Sequence, residues 1–332
     1  MKRVLIFMSN TGGGHRASAE ALKAAFAERY GTEFQVDIVD LWMDHTPWPL
    51  NKVPGSYPFL VDKAPWFYQW MWNMGKKPGV ITPVMDVAAR WAGTSILQAI
   101  QDHNPDLIIA VHPLLQEAPL KIMARQKHQV PFITVITDLA AFHPSWFHPE
   151  VSLCFVPNES AYRQALKAGL RPAQVRQCGL PIRPAFAQPP RPKDELRREL
   201  GMDSSVPAVL LAGGGEGMGP VGTIAQAVAA RLAAKGQGRD RPAGQLVVIC
   251  GRNRKLEERL NSLPWPIPTR INGFVDNVPD WMAACDCIIT KAGPGTIAEA
   301  MARGLPMLLS GYIPSQETEN VSYVVENGLG VY

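Results

Sequence analysis

Two glycine-rich turns constrain this chain most. One, Thr290-Lys291-Ala292-Gly293-Pro294-Gly295-Thr296, follows the apolar run Cys287-Ile288-Ile289 and leads into a helix-forming segment, Thr296 to Arg303, closed by Gly304. The other, Ser9-Asn10-Thr11-Gly12-Gly13-Gly14-His15, follows Val4–Met8 and leads into Arg16–Tyr30, closed by Gly31. A short apolar run that passes through small residues into a helix reads as a buried parallel strand and its crossover. Small residues at such a turn let the backbone approach an anion, and the helix N-terminus behind it offers free N–H groups and partial positive charge. The C-terminal turn, Gly293, Pro294, Gly295 and Thr296, therefore reads as a diphosphate cradle. Glu299, one turn further on, is placed to accept both hydroxyls of a ribose. The N-terminal turn has three consecutive glycines, which is not the dinucleotide fingerprint spacing. His15 opens its helix, where it can reach a bound substrate or stand as an exposed capping residue.

The alternation of strand and helix runs the length of the chain. Apolar runs at Arg3–Met8, Gln35–Leu41, Leu107–Val111, Phe132–Thr137, Leu153–Val156 and Val175–Cys178 read as one set of strands. Pro184, Pro189, Pro190 and Pro192 then break the pattern, since neither a helix interior nor a central strand tolerates such a run. It restarts with Ala208–Ala212, Leu246–Cys250, Arg270–Val275, Cys287–Thr290 and Pro306–Leu309. The expected fold class is α/β, with two doubly wound, Rossmann-like parallel sheets facing a cleft. The expected domains are residues 1–186, a proline-rich linker at 187–195, and residues 196–332. Ligands in such sheets bind at the carboxyl ends of strands, where both glycine-rich turns lie. The stretch Lys235–Gly244 reads as a surface loop.

Composition narrows the function classes. Hydrophobic residues make up 46% and charged residues 19%, which excludes a disordered chain. No apolar run approaches the roughly 18 residues of a membrane span. The N-terminus enters a strand directly, so no signal peptide is expected and the protein should stay in the cytoplasm. Cys154, Cys178, Cys250, Cys285 and Cys287 lack zinc-site spacing and read as reduced core residues. Residues 1–186 hold 18 Lys/Arg against 14 Asp/Glu, whereas 187–332 hold 15 of each. That excess is too scattered for a nucleic-acid partner but suits a first half that meets an anionic surface.

One segment departs from the alternation. Nine aromatics fall in the 31 residues from Trp42 to Trp72, punctuated by Pro47, Pro49, Pro54, Pro58 and Pro65. The prolines argue against any long regular element there. Rings at this density, Trp66, Phe67, Trp70 and Trp72 above all, suit a membrane interface or a core plug between helices.

Seven stretches occur in an order that resembles the monogalactosyldiacylglycerol synthase family and its relatives, the diacylglycerol glucosyltransferases, of glycosyltransferase family 28. They are Thr11–Ala19, Thr137-Asp138 with His143–His148, Gly179–Pro184, Gly213–Pro220, Cys250–Asn253, Lys291–Met301 and Gly311–Glu317. The resemblance covers nearly the whole chain. It implies a GT-B fold and an inverting glycosyltransferase that moves a sugar from a UDP-sugar to the 3-hydroxyl of diacylglycerol, without a metal or other cofactor. The first domain would hold the lipid, with membrane contact through 42–77, and the second the nucleotide sugar. The expected location is peripheral, on the cytoplasmic face of a membrane. GT-B chains normally continue into C-terminal helices that cross back onto the first domain, so the end at Tyr332 reads as short.

Inverting transfer needs a base for the acceptor hydroxyl, and a histidine near neutral pKa suits that task. His15 is the first choice; Asp138, at a strand end on the same edge, is an alternative base or a group that orients His15 or the acceptor. His143 and His148 flank Trp146 with no evident third metal ligand, so structural roles are expected of them. No Asp-x-Asp pair holds a divalent ion. The turn at Gly295-Thr296, with Gly214 and Gly215 across the cleft, is expected to stabilise the leaving diphosphate, and Arg252 to reach a phosphate. The resemblance further implies that Phe274 and Val275 meet the uracil and that Gln316 and Glu317 contact the sugar. The resemblance favours galactose over glucose, because the Thr11–Ala19, Gly215–Pro220 and Gly311–Glu317 stretches are more similar to the galactosyl branch. A UDP-sugar 2-epimerase on the same scaffold and an inactive relative are the competing readings.

Overall fold

Among the described residues, twelve strands pair in parallel as two six-stranded sheets. The computed structural model describes residues 1–11, 13–125, 130–237 and 241–332; Gly12 of the N-terminal turn and 238–240 of the expected Lys235–Gly244 loop lie outside them. The chain divides into two units. Met1–Pro184 with Pro314–Gln316 form the first, and Ala185–Ile313 with Glu317–Tyr332 the second.

The first unit runs β1 (Lys2–Met8), α1 (Gly14–Tyr30), β2 (Phe34–Asp40), α2 (Leu41–His45), α3 (Val53–Lys63), α4 (Pro65–Gly75), α5 (Pro78–His103), β3 (Leu107–Ala110), α6 (Glu117–Arg125), β4 (Phe132–Val135), β5 (Leu153–Val156), α7 (Glu159–Lys167) and β6 (Val175–Gln177). Its strand order is β2-β1-β3-β4-β5-β6. The chain winds outward from β1 to β2, then returns to the other side of β1, so the winding reverses between β1 and β3. Side chains of β1 alternate between two cores, as a strand covered on both faces requires. Val4, Ile6 and Met8 pack with Ala19 of α1, while Leu5 and Phe7 pack with Ala92, Ile96 and Ile100 of α5.

The second unit runs α8 (Lys193–Glu199), β7 (Ala208–Ala212), α9 (Val221–Gly236), β8 (Gln245–Ile249), α10 (Arg254–Asn261), β9 (Thr269–Asn272), α11 (Val278–Ala284), β10 (Cys287–Lys291), α12 (Pro294–Ala302), β11 (Met307–Gly311), α13 (Thr318–Glu326) and β12 (Gly330–Val331). Its order, β12-β11-β10-β7-β8-β9, reverses between β7 and β10. Leu211, Leu246, Val248 and Ile289 of the sheet pack against Val221, Ala225 and Ala229 of α9.

Most strand ends fall within two residues of the sequence reading, and Arg270–Val275 stops earlier, at Asn272. The short β12 carries no apolar run that could have announced it. The expected loop at Lys235–Gly244 starts late, because α9 carries Lys235 and Gly236. One correction concerns the aromatic segment. It does form regular elements, and its prolines help to start them: α3 and α4 each carry a proline at their first or second position, where no N–H is needed. Its rings also divide between two fates. Trp42 and Tyr68 are buried, whereas Trp48, Phe59, Trp66 and Trp70 are exposed. Among the cysteines, Cys154, Cys250 and Cys285 are buried, but Cys178 is exposed rather than in the core.

The turn after β7 tests how tightly these loops are built. Gly217 has φ +61°, and a β-carbon there would run into the Cys250 carbonyl and stand 2.9 Å from Asn253 Cβ. Gly219 has φ +85° with nothing within 4 Å. Gly217→Ala is therefore expected to cost roughly 1–3 kcal/mol more than its backbone strain, and Gly219→Ala only the strain of about 1–2 kcal/mol. Urea unfolding followed by circular dichroism measures both, and equal losses would contradict this account.

Candidate active site

The reversal in the first sheet brings together residues that follow three strands. Gly13, at φ +81°, caps α1 and turns the chain so that His15 points inward. His15 is 7% exposed, so it is not the solvent-facing cap that its position at a helix start allowed. Its Nδ1 lies 2.9 Å from the Val111 carbonyl oxygen and 2.9 Å from Thr137 Oγ1. A carbonyl only accepts, so Nδ1 carries the proton and Nε2 keeps a bare lone pair. Thr137 gives its own hydroxyl proton to the same carbonyl at 3.3 Å, which leaves its oxygen to accept from His15. Burial lowers the His15 pKa to about 4, against a partial opposing pull from the Val111 carbonyl, so the ring is neutral at pH 7.

Two further histidines line this corner. His112 follows β3 across the winding reversal, with its ring 4.5 Å from that of His15. Its Nε2 is 3.2 Å from Thr11 Oγ1, and its Nδ1 accepts from Leu114 N–H at 3.2 Å. Burial holds it well below the usual histidine range, with the neighbouring His15 and His143 adding to the effect. His143 is 4% exposed, and burial takes its pKa to about 4, helped by the charge on Lys76. Its Nδ1 accepts from Ser145 N–H at 3.3 Å. The end of α4 packs over it: a β-carbon on Gly75 would stand 3.0 Å from His143 Nε2, and the Trp72 ring lies edge-on at 5.1 Å. His148 stands apart from this group and pairs with Glu117 at 3.3 Å.

Asp138 is 4% exposed, and its Oδ2 accepts the Trp146 indole N–H at 2.6 Å. Trp146 is fully buried, with its ring 6.2 Å from His15. Asp138 thus fixes a ring that packs beside His15. Sequence reasoning missed His112 and Trp146. The signal for His112 was its position directly past the apolar run Leu107–Val111, at the carboxyl end of a strand.

The second unit gathers most of the expected donor residues at its own reversal. Gly214 and Gly215 follow β7, and Gly293, Pro294, Gly295 and Thr296 follow β10. The two turns lie on adjacent strands of one sheet, rather than facing each other across a cleft. Pro294 begins α12, and helix geometry leaves the N–H groups of Gly295 and Thr296 without intrahelical acceptors. Arg252 is held by Glu216 at 2.8 Å and lies over the Phe274 ring at 4.5 Å from its centroid. Gly251, Arg252, Arg254, Glu257, Gly273 and Phe274 line an open pocket of about 520 Å³. Val275 is half-buried beside it, and Glu299 is half-buried on α12.

Gln316 and Glu317 part company. Gln316 belongs to the first unit, where its Oε1 accepts from the hydroxyls of Tyr57 and Tyr68, each at 2.8 Å. Glu317 is 2% exposed; its Oε1 meets Lys291 Nζ at 2.5 Å and its Oε2 accepts from Ile313 N–H at 3.0 Å. That carboxylate is taken up by partners inside its own unit. Lys291 was not among the residues expected to matter.

On α4, Trp66 is 73% and Trp70 56% exposed, and Phe67 stacks on Trp70 with centroids 5.7 Å apart. Trp72 does not join them: it is half-buried against His143, and its Nε1 is buried without a partner. Among the described residues no helix is long and apolar enough to cross a membrane. Also among them, no group of three or more His, Cys, Asp or Glu is placed to hold a metal ion.

Known proteins share both fold and sequence with this chain. MurG of Acinetobacter baumannii matches over 100% of this chain and 85% of its own, with a TM-score of 0.55 at 14% identity. UDP-GlcNAc 2-epimerase from Neisseria meningitidis matches with a TM-score of 0.57 at 15% identity, over 100% and 87% of the two chains. At such identities the likeness establishes the GT-B fold alone. Sequence relatives are much nearer. The chain is 52% identical to the chloroplastic monogalactosyldiacylglycerol synthase of Spinacia oleracea and 51% to monogalactosyldiacylglycerol synthase 1 of Arabidopsis thaliana. All of this chain is covered, but only 63% and 62% of those relatives, so it spans less than two thirds of their length. A probable monogalactosyldiacylglycerol synthase 2 of Oryza sativa subsp. japonica is 49% identical over 100% of this chain and 70% of its own. The monogalactosyldiacylglycerol synthase family model matches residues 15–182, and the glycosyltransferase family 28 C-terminal domain matches 208–332. With both units matched, the chain belongs to the monogalactosyldiacylglycerol synthase family.

Proposed function

We propose that this chain transfers galactose from UDP-galactose to the 3-hydroxyl of 1,2-diacylglycerol, inverting the anomeric carbon and giving monogalactosyldiacylglycerol. The observation that carries the reading is about half identity along the whole chain to proteins named for that product. The geometry supports it with a base. His15 Nε2 takes the acceptor proton while the acceptor oxygen bonds to the anomeric carbon and the bond from that carbon to the diphosphate breaks. Asp138 acts through Trp146, as a positioning residue for the wall beside His15. In the second unit Phe274, Val275 and Arg252 surround the uracil, Glu299 receives the ribose hydroxyls, and Gly214, Gly215, Gly293, Gly295 and Thr296 face the diphosphate. Residues 1–186 serve as the acceptor domain and 196–332 as the donor domain.

The exposed rings of Trp66 and Trp70, with the half-buried Phe67 stacked on Trp70 and Lys63, Lys76 and Lys77 nearby, hold the first unit on an anionic membrane surface as a peripheral protein. We infer that the chain works on the cytoplasmic side of the bilayer that holds its acceptor.

The transfer itself is tested by supplying diacylglycerol vesicles with UDP-galactose or UDP-glucose and separating the lipids. A galactolipid is expected with the first donor; turnover of the UDP-sugar without lipid would favour an epimerase instead. His15→Ala should lower transfer by roughly two to four orders of magnitude while UDP affinity stays nearly unchanged. Parallel loss of UDP binding would give His15 a different role.

The depressed histidine pKa makes a second expectation. A base titrating at about 4 leaves kcat/KM flat from pH 8 to about pH 5 and falling below it; a fall centred on pH 6.5 would contradict the buried neutral ring. The unfolded chain protonates this histidine below about pH 6.5, so its effect on stability is absent above that pH. It grows as pH falls to about 4, to roughly 3 kcal/mol of destabilisation.

For the surface, sedimentation with anionic vesicles should exceed that with neutral ones and weaken in high salt. Replacing Trp66, Phe67 and Trp70 with serine should abolish it without changing UDP affinity. A variant that unfolds instead would make those rings core residues.

A further inference from the structure

Lys291 ends β10 at the winding reversal beside β7, and the pairing of β10 with β11 is irregular between Thr290 and Lys291. Such a break turns a side chain out of the regular alternation. The ammonium meets a carboxylate that has almost no exposure of its own: the Glu317 side chain is 3% exposed and that of Lys291 27%. Glu317 is held at both oxygens, by Lys291 and by the Ile313 N–H. The pair therefore shows solvent its positive end. That end lies against the turns that follow β7 and β10. A β-carbon on Gly293 would stand 3.0 Å from Lys291 Nζ, and one on Gly214 would stand 3.9 Å from Lys291 Cε. An ammonium has three N–H donors, of which Glu317 takes one. Arg252, a cation that follows the neighbouring β8, is held by Glu216 and lies over Phe274.

We propose that Lys291 binds and neutralises the diphosphate of the donor, and that Glu317 is a positioning residue that keeps the ammonium aimed at it. This rests on the donor-site reading of the second unit given above. As the bond from the anomeric carbon to the diphosphate oxygen breaks, its electron pair stays on that oxygen. The added negative charge falls where the remaining Lys291 N–H groups can reach it, so the contact strengthens during the step. No proton leaves the lysine.

Calorimetric titration of the full chain with UDP and with uridine tests the assignment. Lys291→Met should weaken UDP binding roughly 10- to 100-fold, the range of a hydrogen bond to a charged group, and leave uridine binding unchanged. Lys291→Arg should restore most of the UDP affinity. Glu317→Gln, which keeps the lysine but loosens its aim, should lower kcat about tenfold with a smaller change in KM. If Lys291→Met does not fold, Lys291→Gln carries the same comparison. Wild-type-like UDP binding by either neutral variant, or equal losses for UDP and uridine, would make the pair purely structural and overturn the proposal. Failure of the unaltered chain to bind UDP at all would instead remove the donor-site reading beneath it.

Discussion

A parallel sheet must be covered on both faces, and that constraint organises each unit here. Covering both faces with right-handed crossovers forces the chain to wind in one direction and then the other. At the single place where the direction changes, the loops from two adjacent strands leave toward opposite faces and a gap opens between them. In the first sheet the gap lies between β1 and β3, and His15 and His112 stand at its rim. In the second it lies between β7 and β10, where the turns that follow these two strands both approach Lys291. Both clusters of polar side chains follow from sheet topology before any chemistry is invoked.

What fills the first gap is unusual in its charge state. Imidazole rings are commonly half-protonated near neutral pH, yet here His15, His112 and His143 all sit where burial disfavours the charged form. Each is compensated by hydrogen bonds a neutral ring can make, which is how so much polarity persists in a buried corner. Trp146 contributes the apolar wall, and the Asp138 carboxylate holds its indole in place.

The fold was legible from the sequence because its signal is local. A buried parallel strand announces itself as a short apolar run, and the glycine after it as a turn. The aromatic segment departs from that legibility because a proline breaks a helix interior but starts a helix well, and Pro54 and Pro65 stand in the first turns of α3 and α4. Local pattern also found His15 and the two glycine turns. It could not find that Trp146 leans on Asp138, or that Glu317 faces Lys291 across 26 residues. Those pairings depend on which strand lies beside which, and strand order is not written in any one stretch of residues. Trp72 shows the same limit: it shares a helix with Trp66 and Trp70, but helical rotation sends it inward to His143.

The proton on His15 has an owner larger than the residue. Its position on Nδ1 is set by the carbonyl of Val111, just past β3, and by the hydroxyl of Thr137, just past β4, each supplied at a fixed height by the pairing with its neighbour. Because side chains alternate along a strand, a slip of one residue in that pairing would turn Thr137 to the opposite face and move the carbonyl by a strand's rise. The ring would then have no reason to prefer one nitrogen over the other. The tautomer of a single histidine is thus a statement about the register of a six-stranded sheet.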